Sequence, residues 1–362
     1  MSVPPAIIRD RFGLYVPAAD LHLDARRAPG LSFVSHAHSD HCSSAPRIVC
    51  TRETAEFHRR RRGVKEVVTL GFGQQLPLQN ATLELMPAGH TLGSAMAIVR
   101  SDDGVLAYTG DYKLRPGPFS AGVTVPRCDT LVMECTFGEP RYRFPPEAEV
   151  LERLFAFIDS ALTAGDVPVV LAYAFGKTQD ALYHLTAHGY SVGVHGAGAA
   201  LCQAHVELGY DFPGPGTWSE WPEPGTQPQV LLMTPRGRDA LPGSSRRYRC
   251  VHLTGWACSR NPGRFTGRDF ALPFSGHADF TELERTAAES GARKIYTVHG
   301  SSRFAAHLRS LGYDARHLGT GTGSTPATAG PRGAVASMKP ARDDAPARGS
   351  VPRATQLSLG LA

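Results

Sequence analysis

Short apolar runs dominate the first third of the chain: LSFVS (31–35), RIVCT (47–51), EVVTL (66–70), TLELMPA (82–88), AMAIV (95–99), VLAYTG (105–110) and TLVMECT (130–136). Gly, Pro, Asp and Asn separate them, so this part of the chain predicts a strand-rich sheet domain. From Pro145 the period changes. Val150, Leu151, Leu154, Phe155, Phe157, Ile158, Ala161 and Leu162 recur at helical spacing behind Pro145 and Pro146, which predicts a helix over roughly 146–163. The run VPVVLAYAF (167–175) and the following GKTQDALYHLTAHG (176–189) read as strand, turn and helix, the alternation of an α/β crossover. Residues 211–228 are rich in Pro and Gly and read as irregular surface, whereas FTELERTAAESGA (280–292) and IYTV (295–298) resume helix and strand.

Composition then narrows the class. The 362 residues exceed one typical domain, and 42% hydrophobic residues suffice for a substantial core. No apolar run is long enough to span a bilayer, and the start MSVPPAIIRDRFGLYVP lacks the pattern of an export signal, so a cytoplasmic protein without membrane contact is expected. The seven cysteines form no C-x-x-C pair, which argues against a zinc ribbon or a disulfide framework. After about Gly319 large apolar residues nearly vanish, and 320–362 reads as a disordered tail. The formal charge of +5 suits a polyanionic partner only weakly. Its clustering says more: Arg59 to Arg62 are consecutive, Arg141 and Arg143 flank Tyr142, and Arg246, Arg247 and Arg249 surround Tyr248, a basic and aromatic mixture suited to nucleic acid.

The chemistry concentrates in Ser35-His36-Ala37-His38-Ser39-Asp40-His41, directly after the apolar segment 31–34. Imidazoles and a carboxylate at this spacing suit zinc or a similar divalent ion, since an extended segment presents His36 and His38 on one side and the next turn adds Asp40 and His41. More donors must come from elsewhere, and His90 in AGHTLGS and Asp111 in YTGDY each end a strand-like run.

The ordered series Asp24, His36-x-His38-x-Asp40-His41, His90 and Asp111 resembles the successive motifs of the metallo-β-lactamase superfamily. Glu134 in MECTFG, His277 in SGHAD and His299 in TVHG resemble the three additional motifs of its β-CASP nuclease branch. The resemblance covers nearly all of residues 10–318. Within that branch, GLYVPAADLHLD, TGDYK, ECTFG, AYAFGKTQ and VHG are similar to bacterial ligase-associated DNA exonucleases, although those carry Ser-Asp-His-Ala-Asp where this chain has Gly276. The fold so implied is α/β: an αββα metallo-β-lactamase sandwich from residues 1–137 and 266–319, interrupted by an α/β β-CASP domain over 138–265.

The resemblance also implies roles. His36, His38 and His90 would hold one divalent ion, Asp40, His41 and His299 a second, and Asp111 would bridge them. Zinc is expected from the histidine-rich donors, and manganese fits the same set. Hydroxide from a shared water would attack phosphorus, with Asp40 at the reacting centre, His277 protonating the leaving oxygen and Glu134 orienting His277. Asp24 would fix the tautomer of a ligand histidine. Cys42 reads as a small packing residue. Gly176, Lys177 and Gln179 open the helix after 167–175, where Lys177 and Gln179 are candidate substrate contacts.

The expected substrate is single-stranded nucleic acid, DNA favoured over RNA, in a repair exonuclease working beside a DNA ligase and a helicase. Gln356, Leu357, Leu359 and Leu361 resemble the sliding-clamp-binding motif, which would tether the enzyme at 356–361 through the tail. Three other readings compete: an RNA-processing β-CASP ribonuclease, a small-molecule metallo-hydrolase and a non-catalytic scaffold.

Overall fold

The apolar runs of the amino-terminal region become the centres of two facing sheets. In a computed structural model the described residues are 5–63, 66–120, 122–222, 225, 227–243, 245–263 and 270–319. The first sheet orders β1 (Ile8–Arg9), β2 (Leu14–Val16), β3 (Leu21–Leu23), β4 (Leu31–Phe33), β5 (Arg47–Cys50) and β6 (Glu66–Thr69) side by side, parallel from β3 onward. The second runs from β7 (Gln75–Pro77) through β8 (Ala81–Pro87), β9 (Ala95–Ser101), β10 (Gly104–Tyr108) and β11 (Thr130–Glu134). After β11 the chain leaves this sheet and returns much later as β18 (Lys294–Val298) and β19 (Asp314–His317), which complete it in parallel register.

Between departure and return lies a third sheet of six parallel strands: β12 (Val167–Leu171), β13 (Ser191–His195), β14 (Thr217–Trp221), β15 (Val230–Met233), β16 (Tyr248–Leu253) and β17 (Phe270–Leu272), in the spatial order 14-13-15-12-16-17. Helices α2 (Glu147–Thr163), α3 (Lys177–His188) and α4 (Ala197–Glu207) pack on one face of it through Val150, Leu154, Ile158, Leu182, Leu185 and Cys202. Parallel strands need crossover connections: helices supply most of them here, whereas the parallel strands β3, β4 and β5 of the first sheet are joined by irregular segments.

The core clusters reveal the layers of the other body. Leu21, Phe33 and Val49 of the first sheet meet Leu83, Val99, Leu106 and Val132 of the second. The outer face of the first sheet, through Ile48 and Cys50, is covered by Ala55 of α1 (Arg52–Arg59). The outer face of the second, through Met96, Ile98 and Met133, is covered by α5 (Phe280–Ser290) and α6 (Ser302–Ser310). Helix, sheet, sheet, helix is the αββα sandwich expected from the sequence. Strand β9 is apolar on both faces because it lies between two such layers.

The predicted helix at 146–163 is α2, with Glu147 and Glu149 in its first turn favouring the helix dipole. Asp279 caps α5 and Glu282 closes the capping box at its start. Two expectations need correction. The region 211–228 is not wholly irregular, since β14 pairs with β13 there. The strand-rich start also contains α1, whose stripe of Ala55, Phe57 and His58 is too short to announce a helix by periodicity. The predicted tail, including Gln356, Leu357, Leu359 and Leu361, lies outside the described residues. Among the described residues no helix is long and apolar enough to cross a membrane, and Cys42, Cys50, Cys128, Cys135, Cys202 and Cys258 form no disulfide.

Phe304 of α6 is fully buried against the second sheet. Phe304→Ala should therefore destabilise the fold by about 3–5 kcal/mol, read from the shift of the urea midpoint at unchanged slope. A loss below about 1 kcal/mol would mean that α6 does not close this layer.

Candidate metal centre

Strands β8, β10, β11 and β18 run in one direction, and the residues just beyond or at their carboxyl ends are His90, Asp111, Glu134 and His299. Strands β3 and β4 of the facing sheet end next to Asp24 and the 35–41 segment. Side chains distant in sequence therefore converge at one edge of the sandwich. Gly110 makes the approach possible: its φ is +54°, and a Cβ there would lie 2.5 Å from that of Ser35.

Three groups of donors form, the ligand atoms of each lying within 4.8 Å of one another. They are His36, His38, His90 and Asp111; His41, Asp111 and His299; and Asp111, Glu134 and His277. Asp111 belongs to all three. Its Oδ2 stands 3.6 Å from His36 Nε2, 3.4 Å from His41 Nε2, 3.8 Å from His90 Nε2 and 3.9 Å from His277 Nδ1. Asp40 stands apart from these groups, 73% exposed at the rim with its carboxylate 3.8 Å from His41 Nε2.

The outer nitrogens fix the tautomers. His38 Nε2 donates to the carbonyl of Phe175 at 3.2 Å, and His90 Nδ1 donates to that of Gly276 at 2.8 Å. Asp24 accepts from Ser35 N, Ser35 Oγ, Tyr108 Oη and His41 Nδ1, the last at 2.7 Å. Because Ser35 Oγ gives its proton to Asp24, it accepts from His36 Nδ1 at 3.0 Å. The anchored rings of His36, His38 and His90 thus each turn a lone pair inward. His36 Nε2 and His90 Nε2 then face His38 Nδ1 at 2.9 and 3.1 Å, an arrangement of three lone pairs that repel unless a cation lies between them. Asp111 Oδ1 is buried without a hydrogen-bond partner, as expected of an oxygen reserved for a cation. The donor set fits divalent metal.

Charge states agree with this assignment. Burial holds His36 and His90 well below the usual histidine range and His38 at about 4, so all three are neutral at pH 7. Burial also lowers His299. His41 is driven the other way: burial opposes its charge, but Asp111 and Asp24 outweigh burial and raise it well above the ordinary value. Asp111 is held well below the carboxylate range, burial being overcome by His41 and His277.

Glu134 is fully buried at the end of β11, and its two oxygens lie 3.0 and 3.1 Å from His277 Nδ1. This pair raises His277 despite burial. The segment that carries His277 is itself fastened: Arg115 donates to the carbonyls of Ser275 and His277, both at 2.9 Å, and pairs with Glu282. The sequence gives no warning of Arg115, since nothing local to it marks a partner 160 residues away. Gly276 also has a structural reason, because a Cβ there would come 3.0 Å from the His90 carbonyl.

The loop between β12 and α3 closes one side of the centre. Lys177 lies here, with its amine lowered to about 8 by burial. Gln179, expected at the substrate, instead turns inward: fully buried, it accepts from Gly176 N at 2.7 Å and donates to the Ala174 carbonyl at 2.9 Å. Cys42 is buried with its thiol raised to about 11 by burial, consistent with packing. Most of the arginine clusters are also absent from the centre. Arg246 and Arg247 bond to Asp166, ahead of β12 and opposite the Lys177 end, while Arg59 and Arg60 pair with Glu56 and Arg143 with Glu284. Arg61 of the consecutive four approaches the loop, 5.8 Å from the Phe175 ring.

Comparison with known proteins adds the lineage. Residues 270–319 match the family described as the Zn-dependent metallo-hydrolase RNA specificity domain. Over 326 residues the chain is 34% identical to a protein of Opitutus terrae named Probable DNA ligase, a match covering 87% of this chain and 31% of that one. Transcription termination factor FttA of Pyrococcus horikoshii is 28% identical over 41% of this chain and 29% of its own length. RNase aCSPSF2 of Saccharolobus solfataricus is 22% identical over 49% of this chain and 42% of its own. The chain thus spans less than half the length of each of these three relatives. A likeness carried at once by a ligase-named protein, a termination factor and a ribonuclease, joined to the metallo-hydrolase match, supports the β-CASP nuclease branch of the metallo-β-lactamase superfamily as the group this chain resembles.

Proposed function

We propose that the chain is a two-metal phosphodiesterase that digests single-stranded DNA from an end. The observation carrying this reading is Asp111, one carboxylate shared between two groups of histidine donors. His36, His38 and His90 would hold one ion, His41 and His299 the other with Asp40 beside them, and Asp111 both, zinc being favoured by so many imidazoles. Divalent ions in this arrangement supply an activated water and neutralise charge on the phosphate.

The remaining steps belong to the chain. Glu134 binds His277 Nδ1, which leaves Nε2 as the exchangeable position of a ring 20% exposed. A protonated His277 delivers that proton to the leaving alkoxide. Lys177, near enough to interact electrostatically with both Asp111 and His277, meets a non-bridging phosphate oxygen. DNA is favoured by the ligase-named relative that matches most of this chain. A task in DNA repair beside a ligase and a helicase, and a clamp tether at 356–361, extend the same reading. RNA is the second reading, favoured by the family description matched over 270–319 and by the ribonuclease relative.

End-labelled single strands of DNA and RNA of one sequence, incubated with zinc or manganese, decide between these readings. Stepwise loss of DNA, abolished by combining Asp40→Ala with His41→Ala, is the expected result; preferential cutting of RNA would transfer the chain to the second reading. Asp24→Ala should weaken metal binding about 10- to 100-fold by freeing the His41 ring, measured by competition with a chromogenic chelator. His277→Ala should lower kcat about 10²- to 10⁴-fold. The acid form of His277 is lost as pH rises through its raised pKa, so activity should fall on the alkaline side. Glu134→Gln removes the carboxylate that sustains this pKa and should move the alkaline limb to lower pH, whereas an unmoved limb would exclude His277 as the proton donor.

A further inference from the structure

Tyr173 is half exposed on the loop between β12 and α3, among the few large apolar side chains so exposed in the described residues. Exposure of one ring means little by itself. Three further observations give it meaning. First, its backbone is fixed, because its carbonyl accepts from Thr178 N at 3.1 Å and from Thr178 Oγ1 at 2.8 Å. Second, Lys177 Nζ lies 4.8 Å from the ring centroid, so a cation already marks one side of the ring. Third, Phe175, two residues on, offers the carbonyl that holds His38 Nε2. Two residues of extended chain span at most about 7 Å, and the Lys177 amine beside the ring interacts electrostatically with Asp111 and His277, so the ring lies near the donor cluster, within the reach of a neighbouring nucleotide.

We propose that Tyr173 is a stacking platform for the base adjoining the scissile phosphate, and that Lys177 receives the phosphate attached to that nucleotide. The proposal rests on the nucleic-acid reading above and deepens it. A flat aromatic face accepts any base, so the contact is tolerant of sequence. It requires that the base be free of its own neighbours, which selects a single strand or a frayed end over an intact duplex. The fixed carbonyl matters because a ring on a mobile loop would lose much of the stacking gain to ordering.

The test uses the metal-loaded full chain and a labelled single-stranded oligonucleotide with phosphorothioate linkages that resist cleavage, its affinity read by fluorescence anisotropy. A matched series carries one abasic residue, moved stepwise from the end. The unaltered chain should lose about tenfold in affinity when the abasic residue occupies one position. Tyr173→Ala should lose about tenfold on the intact strand and nothing further at that position, while Tyr173→Phe and Tyr173→Trp retain the ordinary pattern. Equal binding by Tyr173→Ala, or an abasic penalty that persists in it, would overturn the proposal, as would a Tyr173→Phe variant as weak as Tyr173→Ala. Cleavage of unmodified strands is scored separately. A chain that binds through Tyr173 without cutting defeats the nuclease reading alone, and one that cuts without regard to Tyr173 defeats this proposal alone.

Discussion

A carboxylate buried among imidazoles is the constraint from which the rest of the molecule can be derived. Asp111 lies at the end of β10 with histidine nitrogens of both donor groups and of His277 within 3.9 Å. Burying such a charge is costly unless opposite charge surrounds it, so the fold must deliver cations or protonated imidazoles to this point and keep them there. Codirectional strands do the delivering. The hydrogen bonds behind each ring do the keeping, from Asp24, Ser35, Phe175 and Gly276.

The residues that follow Asp111 extend this control outward. Tyr112 N donates to Glu134 at 3.0 Å, Lys113 Nζ lies 3.8 Å from Asp180 of α3, and Arg115 grips the His277 segment and Glu282 of α5. One short stretch thus reaches the end of β11, the inserted sheet's helix and the returning part of the chain. A rigid centre built from such distant pieces owes its order to these bonds rather than to any single local element.

The sequence made the donor residues legible because their types are rare in combination: four candidate ligands within six positions, of which His36, His38 and His41 join the donor groups and Asp40 does not, then single histidines and carboxylates at strand ends. The strands of the sandwich were legible from apolar runs of strand length, their αββα arrangement only through the family resemblance, and α2 from a stripe sustained over four turns. What escaped was what depends on distant partners. Gln179 carries the same side chain whether it meets a phosphate or a carbonyl, and only the fold reveals that its amide is consumed inside the loop. Arg115 has no local signature. Helix α1 and strand β14 were missed because short elements are fixed by what they pack against, here the outer face of the first sheet and β13.

The hydrogen bond from His38 to the Phe175 carbonyl joins a donor of the sandwich to a loop of the inserted sheet. Only with that loop seated does His38 have a fixed acceptor for its outer proton, so metal affinity and the seating of the insert are thermodynamically linked. By reciprocity, whatever free energy the seated loop adds to ion binding, the ion returns to the seating of the loop. The centre would therefore act as a fastening for the fold, and loss of a bound ion should loosen the loop between β12 and α3.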